Sequence, residues 1–378
     1  MKKYFSLLAM AAMAACSLTS CSDDEDDNNF VVCPVETSYG VFVVNGGNKS
    51  GGIEGSLTYY DYGTQTATQN VYQTANGVAL GETPNHAVVY GSKIYIVGSG
   101  ESTIFVADKN TLKATTNIKV EVEGKTATPR QAVAGGGYVF VSTYSNAVIA
   151  IDTLTNTISK TFKSGFYSEG MTFGGGQYLY VAGSNYGKGK QEESYPSISI
   201  IDLKTGQTKN FTYDLINNPV DVKIAGNRMF ILDSGSYDDN WNQVGAGVYE
   251  LANGEVTKRA DATEMAVCGN KVYVINAPYT YPATEPTYKV FDTTTNSLTT
   301  FCDGTDIEYP GKISTDPVTG QVYITSYHIG SSGFADYKGA GYCVIYDSNG
   351  VKLGQFDCGT GAGYVVPNIS VDYVQTPQ

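Results

Sequence analysis

The side chains able to do chemistry in this 378-residue sequence are few and scattered. There are two histidines, His86 and His328, in neither HExxH nor HxH spacing, so a histidine-based metal site is not expected. His328, in "SYHIG", reads as a loop histidine satisfied by its neighbours, with ligand contact as the alternative. Asp233, Asp238 and Asp239 in "DSGSYDDN" could hold calcium, but their spacing is not that of an EF-hand loop. The "GTGAG" at 359–363 follows a strand pattern without opening a helix, which makes it a turn and not a dinucleotide site. Cys33, Cys268, Cys302, Cys343 and Cys358 are odd in number and form no CxxC; one or two disulfides with at least one thiol left over is the expectation. No nucleophile stands beside a base, so no catalytic residue is assigned and a non-enzymatic role is expected.

Aromatic rings are the abundant resource. The sequence holds 30 tyrosines, 14 phenylalanines and a single tryptophan, Trp241, beside 43 glycines. Tyr and Trp give a large contact area with few rotors to freeze and a polar tip for hydrogen bonds, which is binding chemistry without reaction. What must position them is a repeat of 40–53 residues: a short apolar strand, a Gly-rich turn, then a strand with an aromatic at its centre. It reads "GVFVVNGG", "VVYGSKIYIVG", "AVAGGGYVFVST", "TFGGGQYLYVAG", "KIAGNRMFILDS", "AVCGNKVYVINA" and "STDPVTGQVYITS", with central rings Phe42, Tyr95, Phe140, Tyr180, Phe230, Tyr273 and Tyr323. A second signature follows in each copy, an apolar strand ending in an acid and a polar turn, as in "AVIAIDTLTNT" and "SISIIDLKTGQ". The acids are Asp61, Asp108, Asp152, Asp202, Asp292 and Asp347, with Glu250 in the fifth copy. Asp can bond the backbone of its own turn, and Asn or Gly accepts positive φ.

Each unit therefore predicts four antiparallel strands, and no sustained helical period appears after residue 30. The expected fold is all-β, a seven-bladed β-propeller over residues 37–376. The first copy, starting at Gly40, lacks its innermost strand, and Pro367-Asn368-Ile369-Ser370-Val371 near the end matches Pro84-Asn85-His86-Ala87-Val88 in the second copy. The C-terminal strand is expected to insert into blade 1 and close the ring, leaving no free edge.

In such a blade the loop after the second strand emerges beside the central channel. Those of blades 2 and 3 are short, around "GSGES" and "TYSN"; those of blades 1, 4, 5, 6 and 7 are long. Long loops on a rigid scaffold are where binding concentrates. The residues expected to touch ligand are Tyr144, Asn185, Tyr186, Tyr237, Asp239, Trp241, Tyr279, Tyr281, Tyr327, His328, Phe334 and Tyr337. Rings among Asn and Asp suit a large, neutral, amide- or hydroxyl-rich ligand; packing of the loops against one another is the alternative for any single ring. No set of acids or histidines is expected to converge at the channel mouth, where propeller lactonases and lyases keep theirs.

The formal net charge is −13, five of those negatives falling in Asp23, Asp24, Glu25, Asp26 and Asp27. No basic cluster is present, so nucleic acid and anionic membrane surfaces are poor partners. Residues 1–20 read as a signal peptide: Lys2 and Lys3, then an apolar run too short to span a bilayer permanently. Leu18-Thr19-Ser20-Cys21 resembles a bacterial lipobox, with Cys21 the acylated residue and Cys16 a weaker rival. The "SDDEDD" after it resembles the export signal of surface lipoproteins in Bacteroidetes, and residues 21–36 then form an acidic tether. The expected address is the outer membrane, lipid-anchored and exposed, with membrane contact only through the anchor.

The stretch 37–376, most of all "GSLTYYDYGTQTATQNVY...ANGVALGETPN", resembles the YncE-like propeller lipoproteins of Bacteroidetes, closest in kind to the BtuG cobalamin-binding lipoproteins. The resemblance implies a surface lipoprotein that captures cobalamin as cargo, not as a cofactor, and passes it to a TonB-dependent outer-membrane transporter. Alternatives are capture of an iron–siderophore, for which Lys188 and Lys190 are the one helpful loop cluster, capture of a glycan, a propeller hydrolase or lyase, and a structural propeller that binds a partner protein.

Overall fold

The computed structural model describes residues 30–185, 196–331 and 333–377. The signal peptide, Cys21, the acidic run and the loop residues Tyr186, Lys188, Lys190 and Tyr195 lie outside the described residues. Among the described residues no helix is long and apolar enough to cross a membrane; the one α-helix, Val71–Asn76, follows the first sheet.

Among the described residues the strands form seven four-stranded antiparallel sheets and two small two-stranded ones. Sheets two to seven each take their strands in chain order from one repeat unit. Their first strands are Pro84–Tyr90, Pro129–Gly135, Ser168–Gly174, Pro219–Ala225, Glu264–Cys268 and Tyr309–Thr315. The first sheet differs. Its order is Thr66–Thr68, Ser56–Asp61, Phe30–Asn45, then Ala362–Pro377, so both ends of the described chain meet in it. The pairing of Phe42 with Val366 and Val41 with Pro367 carries on to Phe30 with Pro377. The strand thus begins well before Gly40, where the repeat itself starts, and overlaps the stretch expected as tether. Before Gly40 no third strand accompanies the pair, and residues 30–38 leave with 369–377 as a two-stranded ribbon. Lys109, 5% exposed, holds the ribbon's base by donating to Ile369 O at 2.6 Å and Ser370 Oγ at 2.8 Å.

First strands of successive sheets lie against one another, and Tyr309–Thr315 lies against Ala362–Pro377, which lies against Pro84–Tyr90. Apolar residues of neighbouring sheets fill the spaces between; one cluster joins Tyr95, Val97 and Ile104 to Val139, Val141 and Ile149. The repeat's features are what join the sheets. Asp152 Oδ1 accepts from the N–H groups of Leu154 and Thr155, and Asn156 closes that turn at φ +53°. Asn156 Oδ1 then accepts from Lys93 Nζ at 2.9 Å and from the central ring of the preceding sheet, Tyr95 Oη, at 3.1 Å. Lys271 Nζ repeats the clasp on Ser348 O at 2.8 Å, and Arg228 on Thr293 O at 2.8 Å. In the fifth sheet Glu250 replaces the turn acid and is gripped by Arg228 and Arg259.

Candidate functional site

Antiparallel register puts the start of each first strand beside the loop after the second. Pro84 pairs with Gly98, Pro129 with Thr143, Ser168 with Gly183, Pro219 with Asp233, Glu264 with Ile275, Tyr309 with Tyr327 and Ala362 with Asn45. One end of the molecule therefore carries both the ring-rich loops and the first residues of the strands that contact one another. The loops supply the rim and the strand starts the floor.

The fifth-sheet loop is built around two acids. Asp233, fully buried, accepts from the N–H groups of Asn217 (2.5 Å), Asn218 (3.0 Å) and Gly235 (2.6 Å). Burial raises its carboxyl while those donors oppose the shift. Asp238 Oδ1 accepts from the N–H groups of Asn240 and Asn242, and its Oδ2 from Asn242 Nδ2. These bonds hold Trp241 at φ +64°, a left-handed conformation costly for a bulky residue. The result is display: Trp241 is 73% exposed, with Tyr237 beside it at 6.5 Å between centroids. Asp233 and Asp238 are thus backbone clamps, and Asp239 is exposed on the same turn.

The sixth-sheet loop is tied to the fifth by Gln243 N–H donating to Tyr279 O and Tyr281 N–H to Asn242 Oδ1, which leaves Tyr279 and Tyr281 64% and 85% exposed. In the seventh sheet Tyr327 is half-buried and stacks edge-on with Tyr337 at 5.0 Å and with Tyr309 at 6.4 Å; Phe334 and Tyr337 are exposed. His328 is exposed, and its Nδ1 lies 2.7 Å from Glu308. Its ring packs on Tyr342. Asn185 bonds Asn217 O and the fourth-sheet loop to the fifth. The structure thus brings the expected residues of sheets five to seven onto one rim. Tyr144 belongs to the third-sheet loop: its hydroxyl donates to Glu169 Oε1 at 2.5 Å, and the Arg130 guanidinium lies 4.5 Å over its ring.

The floor corrects the sequence reading. Three acids, Glu169, Asp221 and Glu264, do converge at the channel mouth. A cavity of about 350 Å³ is lined there by Arg130, Glu169, Asp221, Glu264, Lys312 and Tyr364 among others. Each is among the first four residues of a first strand, the positions that register aims inward; the signal was a charged residue or a tyrosine at the head of an otherwise apolar strand. Arg130 Nε pairs with Glu169 at 3.0 Å, Lys223 with Asp221 at 2.9 Å and Lys312 with Glu264 at 2.5 Å. Burial disfavours the Lys312 charge, but the Glu264 carboxylate outweighs it and raises the ammonium's pKa; burial pushes Glu264 up and Lys312 opposes that. We read the pair as ionised. His86 sits by Tyr364, centroids 4.8 Å apart, and its Nδ1 accepts from Ala132 N–H at 3.4 Å. Burial, then Lys223 and Lys312, lowers its pKa to about 3, so it is neutral at pH 7.

Residues 39–134 match the model of a domain of unknown function, DUF5074. No curated protein matches the chain. Among solved structures, Kuenenia stuttgartiensis hydrazine synthase superposes with a TM-score of 0.55 at 15% identity, covering 77% of this chain and 95% of that one. The Neurospora crassa Pan2 WD40 domain superposes at 0.52 with 13% identity, covering 75% and 80%. WD40 domains are radial arrays of four-stranded sheets. The fold is that of a β-propeller. At these identities the likeness speaks for the fold alone.

Proposed function

We propose that this chain is a seven-bladed propeller of the YncE-like kind, its ring closed by the C-terminal strand, that captures cobalamin on its loop face. In this reading an acylated Cys21 holds the domain at the outer surface, and the cargo passes to a TonB-dependent outer-membrane transporter. The observation that carries it is the exposed row Tyr237, Trp241, Tyr279, Tyr281, Phe334 and Tyr337 beside a polar hollow. A soluble domain rarely spends so many large rings on solvent in one region unless they are covered in use. A corrin plane is broad enough to lie against such a row, and its amide arms need hydrogen-bonding groups of the sort the floor offers. The clamps around Asp233 and Asp238 hold the fifth-sheet part of the row in place before ligand arrives, so little freedom is lost on binding there.

A second reading, a propeller hydrolase or lyase, draws on the acids and His86 at the channel mouth. It is weaker because each acid is engaged by a cation at contact and His86 Nδ1 is occupied. The deciding experiment mixes the purified protein with excess cyanocobalamin, desalts quickly, and reads the corrin absorbance travelling with the protein. Stoichiometric colour supports capture. A colourless protein refutes cobalamin as the ligand and leaves the propeller standing.

A further inference from the structure

The charges of the channel mouth are already spent on one another. Arg130, Lys223 and Lys312 contribute three positives, and Glu169, Asp221 and Glu264 three negatives, each cation at contact with one acid, so the formal sum is 3 − 3 = 0. His86, behind Tyr364, adds no charge. An ion entering this hollow would give up its hydration and meet no uncompensated partner in return. Hydrogen-bonding capacity, by contrast, is left over. Arg130 engages Glu169 through Nε, and its terminal amino groups make no bond among the described residues. Tyr364 Oη accepts from Gln131 Nε2 at 3.2 Å, which leaves its proton to give. On the other side Glu264 pairs through Oε1 and Asp221 through Oδ1, so Oε2 and Oδ2 remain acceptors. Donors thus come from the third and first sheets and acceptors from the fifth and sixth.

We propose that the channel mouth is the specificity subsite of the loop face, taking groups that both donate and accept, primary amides or hydroxyls, and turning away oxyanions. This rests on the capture reading and narrows its ligand to an uncharged, amide- or hydroxyl-rich molecule, against an anionic iron chelate. Arg130 and Glu264 are the residues that set the preference, one as donor and one as acceptor. Tyr144, stacked under Arg130, keeps the guanidinium aimed.

The test is calorimetric titration of the full-length protein, in detergent, with cyanocobalamin, a neutral malto-oligosaccharide and ferric citrate. Each is run at about 0.05 M and about 0.5 M NaCl, since salt screens any site with net charge. The expected result is a neutral ligand whose affinity changes less than about threefold between the two salts, and no ferric citrate binding. Glu264→Gln, which strips Lys312 of its partner, should weaken the neutral ligand about tenfold and make any ferric citrate binding appear and fall with salt. Arg130→Lys keeps the charge but loses the planar donor edge and should weaken it by a similar factor, which covers the case where Glu264→Gln fails to fold. Ferric citrate binding to the wild type overturns the proposal, as does a neutral affinity left within about twofold by both variants. Oligosaccharide binding without cobalamin would refute the cobalamin reading and keep the neutral subsite; binding of neither neutral ligand overturns both.

Discussion

Neutral His86, partly buried beside Tyr364, makes this protein's stability depend on pH in a direction that can be worked out. Folded, the ring holds a pKa of about 3 because burial and the facing Lys223 and Lys312 oppose a proton; unfolded, it titrates near the ordinary histidine value of 6.5. The folded pKa is depressed, so below 6.5 the unfolded chain takes up a proton that the folded chain refuses, and stability falls as pH falls. At pH 6.5 half of the unfolded chains already carry that proton, so from pH 6.5 to 5.0 the loss is about 1.6 kcal/mol. Glu264, raised by burial, acts with the opposite sign above its ordinary value, so the quantity to read is a difference. His86→Asn places Oδ1 where Nδ1 accepts from Ala132 N–H and removes the titration. Urea unfolding followed by far-ultraviolet circular dichroism, at both pH values for both proteins, gives four free energies. The wild type should lose about 1.6 kcal/mol more than His86→Asn over that interval. Equal losses would refute the neutral histidine, whatever the constant cost of the substitution.

Lys109→Met removes two bonds at the ribbon's base and should cost about 1–3 kcal/mol, with amide exchange speeding up first around Ile369–Tyr373; unchanged exchange there would contradict the clasp. Gly170→Ala would place a Cβ 2.0 Å from Asp221 Oδ1, so it should push Asp221 off Lys223 and lower stability by about 1–3 kcal/mol in the same urea assay. Trp241→Ala, at a ring 73% exposed, should leave stability within about 0.5 kcal/mol yet weaken ligand about tenfold or more by titration. Cys343 and Cys358 are buried thiols whose pKa values burial pushes up, so a maleimide should label them only after unfolding; rapid native labelling would show that the seventh sheet opens.

The sequence carried local features well. The seven central rings fall on second strands, and Asp152 and Asp202 cap their turns, because turn chemistry is decided within four residues. The exposed rims of sheets five to seven were legible for a related reason: long loops between strong strand patterns have nowhere to go but the end of the sheet. Two rings named together nonetheless parted, since Trp241 is displayed while Tyr327 is half-buried against Tyr309 and Tyr337. Loop composition does not say which side of a ring meets solvent.

The channel mouth was missed for a different cause. Arg130 and Glu169 are 39 residues apart, and Glu264 and Lys312 are 48 apart, so each pair exists only once separate sheets are set side by side. In the sequence each is one charge at the head of an apolar strand, no different from a solvated end. Strand periodicity, turn acids and central aromatics are properties of a single repeat, and the sequence by itself determined those, with the all-β architecture that follows. Which strand heads face one another, how their charges cancel, and that His86 packs against Tyr364 are properties of the array, and only the tertiary structure decided them, because contact between distant repeats is set by packing and not by neighbours along the chain.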